Sequence, residues 1–501
     1  MNKRNGLRLA LLPAMVLSAC AAGPDFKTPD APKAARYTDA PLPGTTATAQ
    51  AVGGEPQRFV DGHDIPAQWW TLFQSPALNS LIEDALKNNP NLRQAEAALR
   101  AAQENVYAQQ GAYYPGVSAN FAPSRQKDAL GTVTSNAASG AAVYNLHTVQ
   151  LNISYVPDVF GGNRRQVESL QAQSDAQRFQ REAAYLSLTS NIVAAAVQEA
   201  SLRAQIAATE KMVKLEREIL DLTRRQSELG AVPEAAVAAQ IAALAQTQAQ
   251  LPPLQKQLAQ QRDLIAALAG RLPADMPHET FELSALQLPQ ELPLSLPSQL
   301  VRQRPDVRAA EESLHSASAD IGVAVANMLP QFSLTAGGGS MASQLNDFFK
   351  SGTGFWSVAG GITQPLFQGG ALLHRKRAAE AAYDAAAAQY RATVIAAFQN
   401  VADTLQALQS DADALQAAAT AERAAADSLA IAKRQVELGD MAYITLLSAE
   451  QNYQQAALSL AQAQANRFAD TAALFQALGG GWWNRDRNTS QSRADTGRQV
   501  R

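Results

Sequence analysis

The sequence holds a single cysteine, Cys20, in 501 residues. No intrachain disulfide can form and no thiolate metal cluster can be built. Its five histidines (His63, His147, His278, His315, His374) lack ligand-like spacing, and its seven methionines form no cluster, so metal binding has no evident donor set. Aromatics make up only 6% and charged residues 17% of the chain, and the net charge is -3. Such a balance gives no electrostatic reason to invoke nucleic acid. No glycine-rich phosphate loop follows a strand, no His-Glu-x-x-His pair occurs, and no nucleophile–base set stands out. The sequence thus offers no support for an enzyme or for a cofactor. After residue 20 no stretch approaches the roughly 18–20 apolar residues of a membrane-spanning helix. Any spanning structure would have to be a closed β-barrel, since only helices and closed barrels satisfy their backbones in lipid.

What is abundant is alanine and glutamine, in long proline-free runs. This bias predicts long helices packed closely through small side chains.

The N-terminus reads as an address. Lys3, Arg4 and Arg8 precede a short apolar run, Leu9–Leu17, which ends in Leu17-Ser18-Ala19-Cys20. A positive segment, a short hydrophobic segment and small residues before the cleavage point make residues 1–19 a signal peptide. The segment resembles the lipobox of bacterial lipoproteins, which implies that Cys20 becomes the acylated first residue. Ala21 at the next position implies outer-membrane retention. A plain secretory signal with an incidental cysteine is the alternative. Residues 20–76 are expected to form a lipidated tether, and the Pro-, Ala-, Thr- and Gly-rich 21–66 stretch to be extended without a core of its own.

The rest of the chain is written twice. Asn89-Pro90-Asn91-Leu92 with Ala95-Glu96 answers Arg304-Pro305-Asp306-Val307 with Ala310-Glu311. Pro90 and Pro305 lie 215 residues apart, as do Pro115 and Pro330. Arg225–Gly230 matches Arg434–Gly439, and Ala267–Gly270 matches Ala477–Gly480. A tandem duplication follows, over 77–271 and 298–481, joined by a linker at 272–297 and followed by a polar tail at 482–501. Each half is expected to hold a helix (77–110, 298–327), two strands (112–128 and 143–157; 328–343 and 353–367) and a long helical hairpin. The long helices are expected over 164–229 and 371–438. Within the second, Val394, Phe398, Val401, Leu405, Leu408, Ala412 and Leu415 step by 4 and 3 and form a heptad seam. Pro252-Pro253 is expected to break the first returning helix.

The strands alternate. Val149, Leu151, Ile153 and Tyr155 fall on one face, with Gln150, Asn152 and Ser154 on the other. One apolar and one small polar face suits a membrane barrel with a watery lumen, although a soluble antiparallel sheet on a helical layer has the same pattern. Four strands cannot close a barrel, because transmembrane barrels start at about eight. Several chains would have to share one.

These features resemble the outer-membrane efflux proteins, in particular the lipoprotein branch that serves resistance–nodulation–division pumps. The resemblance rests on Gly23-Pro24-Asp25-Phe26, Trp69-Trp70-Thr71-Leu72-Phe73 and Tyr155-Val156-Pro157-Asp158-Val159-Phe160-Gly161-Gly162. Arg304-Pro305-Asp306-Val307, Gln364-Pro365-Leu366-Phe367 and Ala477-Leu478-Gly479-Gly480-Gly481-Trp482 complete it. It implies an α+β membrane protein: a homotrimer with a twelve-stranded β-barrel, four strands per chain, continued by a long periplasmic α-helical coiled-coil barrel. It also implies an outer-membrane location, a periplasmic adaptor and an inner-membrane transporter as partners, and passive export of drugs or other toxic compounds. The gate would lie at the turns after Gly230 and Gly439. Relatives often carry a tyrosine three residues before the second glycine and an acidic residue nine after it. Those positions are Val436 and Ser448 here, leaving Asp440, Thr445 and Ser448 as lumen candidates. A coiled-coil adhesive lipoprotein would explain the helices and Cys20 but not the paired strands. Within the duct class, a heavy-metal exporter or a type I secretion system is the alternative.

Overall fold

The computed structural model describes residues 21–127, 143–275, 279–438 and 443–485. The chain divides into two compact units. Of the described residues, one unit comprises 21–29, 99–127, 143–177 and 310–390; the other comprises 30–98, 178–275, 279–309, 391–438 and 443–485.

The same order of elements occurs twice. In the first pass α1 (Pro76–Asn88) and α2 (Pro90–Gln110) precede β2 (Gly116–Lys127) and β3 (Val143–Tyr155). Then come α3 (Gly162–Glu228) and α4 (Glu234–Leu268). In the second, α5 (Pro297–Gln303) and α6 (Pro305–Ala326) precede β5 (Gln331–Ala342) and β6 (Gly354–Thr363), followed by α7 (Ala371–Leu438) and α8 (Tyr443–Ala477). Two short strands, β1 (Arg58–Asp61) and β4 (Glu291–Leu294), pair in parallel.

Helices expected to be single at 77–110 and 298–327 are each split by a proline. Asn89 and Arg304 are extended, with ψ of 123° in both cases, because a following proline disfavours the α region. Pro90 and Pro305 then open the next helix at the position where a missing N–H costs nothing. Asn89 caps the new helix, its side-chain oxygen accepting from the backbone N–H of Asn91 and Leu92 at 2.9 and 3.2 Å.

The long helices hold 67 and 68 residues, each about 100 Å at 1.5 Å per residue. The α7 seam is buried at Val394, Ala397, Val401, Leu405, Leu408, Ala412, Leu415 and Ala419. Ala397 takes the step expected of Phe398, whose ring instead lies 5.6 Å from that of Tyr37. Pro252-Pro253 does not break α4, which runs on to Leu268. Both prolines and Ala249 are exposed and Gln248 is half-buried, a side of the helix where water can satisfy the carbonyls that lose their donors.

The segment read as a free tether is packed on helices in its own unit. Ile65, Ala67, Trp69, Trp70 and Phe73 are buried, and Trp69 stacks on Phe475 at 5.3 Å. Residues read as a linker supply β4 and bury Phe281, Leu283, Leu286, Leu288 and Leu292. The start of the supposed tail is also docked. The Trp482 indole N–H donates to Gln303 O at 2.6 Å, and that of Trp483 to Asp64 at 2.9 Å. Periodicity reports these segments poorly, because each borrows the core of helices distant in sequence instead of forming an amphipathic element of its own. The remaining tail, 486–501, lies outside the described residues.

Candidate functional site

Three places carry the functional argument: the strand wall, the helix ends, and the segment that follows Cys20.

The wall is a four-stranded antiparallel sheet of order β2-β3-β5-β6. Its register puts Val117 opposite Ile153, Phe121 opposite Val149, Leu151 opposite Gly338, Ile153 opposite Ala336, Gly338 opposite Trp356, and Ala336 opposite Val358. Residues directly opposite share a face, so these apolar side chains form one continuous surface across all four strands. The other face carries Ser118, Asn120, Gln150, Asn152, Ser154, Thr335, Ser357 and Thr363. The apolar face is open: Trp356 is 80%, Val358 74% and Ile362 68% exposed. An apolar surface of this extent is not left to water in a stable soluble protein. Strands of 10–13 residues match the length of about 9–11 needed to cross a bilayer at a tilt. Among the described residues no helix is long and apolar enough to cross a membrane.

At the helix ends, Gly230 has φ of +72° and closes α3. Its N–H donates to Ser227 O, and that of Ala231 to Gln226 O at 2.8 Å, the paired bonds of a left-handed glycine cap. Gly439 and Asp440 lie outside the described residues. Thr445 and Ser448 lie on the exposed side of α8, and the Ser448 hydroxyl donates to Ile444 O at 3.0 Å. Val436 does not line an open surface. It is buried with Ile219, Leu429, Ala432, Leu446 and Ala449, where α3, α7 and α8 pack together.

Beside that apolar cluster is a polar group not anticipated from the sequence. Glu216 of α3 and Glu450 of α8 are 3% and 0% exposed. The Thr247 hydroxyl donates to Glu216 at 2.9 Å, and the Gln240 amide approaches Glu450 at 3.5 Å. Glu216 Oε2 and Glu450 Oε1 have no hydrogen-bond partner among the described residues. Burial, then repulsion from Glu216, pushes the Glu450 carboxyl up to about 7, and burial also raises Glu216. A carboxyl with a raised folded-state pKa stabilises the fold below its unfolded pKa of about 4.5, and that contribution is lost as pH rises through about 7. Glu450→Gln is therefore expected to stabilise the protein at pH 8 by on the order of 2 kcal/mol and to do little at pH 4. Thermal melts of both proteins at the two pH values check this, and an equal shift at both would contradict it. The readable signal was an ionisable residue within a seam: Met212, Glu216, Ile219 and Thr223 step by 4, 3 and 4, and all are buried.

Cys20 lies outside the described residues, but the residues after it are firmly held. Ala22 N donates to Phe160 O at 2.9 Å. Arg165, 4% exposed, donates through Nε to Ala22 O at 3.1 Å and through its terminal nitrogens to Asp25 and Glu168 at 2.6 and 2.7 Å. The guanidinium holds the Asp25 carboxyl below its usual range. Phe26 stacks on His315 at 4.4 Å. Gly23 has φ of +88°, and a Cβ there would lie 2.4 Å from the Gly322 Cα, so the pair must both stay small. Gly23→Val is expected to lift residues 21–26 from this seat, read as faster hydrogen exchange at Ala22 with the rest of the chain unchanged.

Comparison with known proteins gives a consistent result. The family model described as outer membrane efflux protein matches residues 81–271 and 296–480. The toluene efflux pump outer membrane protein TtgC of Pseudomonas putida is 30% identical over 480 residues, covering 95% of this chain and 96% of that protein. The antibiotic efflux pump outer membrane protein ArpC, also of Pseudomonas putida, is similar to the same extent, 30% over 480 residues with 95% and 96% coverage. Among solved structures, the outer-membrane channel OprN superposes with a TM-score of 0.82 at 29% identity, covering 92% of this chain and all of that one.

Proposed function

The chain belongs to the outer membrane efflux protein family, and we propose that three copies of it assemble into one gated exit duct anchored by lipid at Cys20. As a member it is an outer-membrane component of an efflux pump, a mostly helical channel protein with a strand portion, and not an enzyme. The trimer, the twelve strands and the tandem duplication belong to the proposal.

One observation carries it: a four-stranded sheet with one continuous exposed apolar face, one polar face, and edges at β2 and β6 that pair with no other strand among the described residues. A lone sheet of this kind leaves two rows of backbone groups without partners, which lipid does not tolerate. Joining β2 of one copy to β6 of the next removes both edges at once. Three copies give twelve strands, with the Asn120, Asn152 and Ser357 face turned to water.

The long helices would then line the periplasmic part of the path, reversing at Gly230 and Gly439. The family tyrosine position is Val436, which is packed into the apolar cluster, and its acidic position is Ser448. Closure is assigned instead to the candidates that remain, Asp440, Thr445 and Ser448. The partners follow from the pump role: a periplasmic adaptor and an inner-membrane transporter, which supplies the energy. The cargo is drugs or other small toxic compounds, in line with the toluene and antibiotic pumps named above. No cofactor is required beyond the covalent lipid.

The test is reconstitution. Detergent-solubilised protein is expected to run as a trimer and to conduct in planar bilayers, weakly until the helix ends are perturbed. A monomer without conductance would refute the reading. Cys20→Ser is expected to lose metabolic lipid labelling while still inserting, since the sheet and not the lipid spans the membrane.

A further inference from the structure

We propose that an arginine-lined cavity beside α5, where α3 meets the C-terminal turn, binds a phosphate-bearing ligand. The cavity, about 490 Å³, is lined by Arg178, Arg181 and Glu182 of α3, Arg302 and Arg308 of α5 and α6, and Arg485 of the C-terminal turn, with Phe179 and Trp482 as its aromatic walls. Five guanidinium groups and one carboxylate thus share a single concave surface.

Four of the five arginines are held, by rings or by Glu182. The Arg178 and Arg308 guanidinium carbons lie 4.8 and 5.0 Å from the Phe179 ring centre, and that of Arg485 lies 4.0 Å from the Tyr185 ring. Phe179 in turn meets Trp482 edge-on at 5.7 Å. Glu182, its side chain 5% exposed, is paired with both Arg181 and Arg485. Arg302 stands exposed at the rim. The lining is therefore strongly cationic, and low-dielectric aromatic walls concentrate the field it produces. Planar guanidinium forks fixed in place by stacking match the oxygen geometry of phosphate better than that of a spherical anion. Neither the strand wall nor the helix-end cluster includes any of these residues, so the assignment is independent of the exit-duct reading.

The experiment uses the full chain in detergent, with inorganic pyrophosphate as the probe and sodium chloride at matched ionic strength as the control. Calorimetry is expected to show saturable pyrophosphate binding. Arg302→Ala, a rim substitution compatible with folding, is expected to weaken it about tenfold, the scale of one charge-assisted contact. Arg302→Lys keeps the charge but not the fork, and is expected to recover only part of that loss. Glu182→Gln releases Arg181 and Arg485 from their carboxylate and is expected to tighten binding, a gain that a purely structural role would not produce. Replacing pyrophosphate with soluble glycerol phosphate, or with nanodiscs containing phosphatidic acid, separates a soluble source from a lipid headgroup; tight binding of either supports the site. Binding no stronger than chloride, or pyrophosphate affinity unchanged in Arg302→Ala and Glu182→Gln, would overturn it. So would occupancy of the cavity by protein side chains of another copy in the assembled oligomer.

Discussion

Arg467→Met is expected to be the most destabilising single substitution in the chain outside the apolar core, costing about 3–5 kcal/mol, the range for removing one partner of a buried charged network. Arg467 is fully buried on α8. Its Nε donates to Gly53 O at 3.2 Å and one terminal nitrogen to Leu408 O at 3.0 Å. The other donates to Thr46 Oγ1 at 2.7 Å and to Glu55 O at 3.2 Å. Methionine fills much of the volume but supplies no donor, so three carbonyls and a hydroxyl lose a partner in a dry site. The same cation offsets a carboxyl pair. Burial first, then the hydrogen bond and repulsion from Asp470, push Asp411 up to about 7, while Arg467 opposes the rise. Without the arginine that carboxyl would shift further upward, and the variant should lose more stability at pH 8 than at pH 5. Because Arg467 ties residues 46–55 to α7 and α8, the loss should be local before it is global. Trypsin cleavage at Arg36 and Arg58, followed against thermal melting, checks this. A variant that melts like the parent and resists trypsin equally would refute the account.

Leu151→Arg and Asn152→Arg form the second pair, and they are expected to differ by about 2–4 kcal/mol in the free energy of insertion, the cost of arginine on the lipid face near mid-bilayer. The two residues are neighbours on β3 yet point to opposite faces. Leu151 stands opposite Ala119 and Gly338 on the apolar side, and Asn152 opposite Ser118 and Gly337 on the polar side. Alternation at a period of 2 makes this a test in which adjacent positions separate failure from tolerance. Leu151→Arg should not assemble in vesicles, whereas Asn152→Arg should insert and alter only the ion preference of the open path. Equal insertion of both would mean that the apolar face does not meet lipid.

Much of the wall was legible beforehand because a strand's faces are set by local geometry. Val149, Leu151 and Ile153 alternate with Gln150 and Asn152 whatever they pair with, and the expected strands at 143–157 and 353–367 overlap those formed at Val143–Tyr155 and Gly354–Thr363. The seam of α7 was legible for the same reason, its period being that of the helix itself. Where the reading missed, partners far along the chain decided the outcome. Phe398 left the seam because Tyr37 offers it a ring. Pro252-Pro253 stayed helical because both rings face water and the orphaned carbonyls can be hydrated.

The helix ends show the division most clearly. Gly230 could be identified as a left-handed cap from its place after a long helical run, since few other residues adopt φ of +72° without strain. Nothing local announced that Glu216 and Glu450, far apart in the chain, would meet inside a bundle whose neighbours are apolar. Their raised pKa depends on burial, and burial is a property of the packed state alone.

By itself, then, the sequence indicated the long helices, the four long strands and the two faces of those strands, and it motivated the repeat and the shared barrel that the proposal adopts. All of these follow from the fixed periods of strand and helix and from strand number. Only the tertiary structure decided that residues 65–73 and 281–292 are packed rather than free, that Val436 is core, that two carboxylates share a buried site, and that five arginines line one cavity. Those outcomes depend on which distant surfaces exclude water together, and no local period records that.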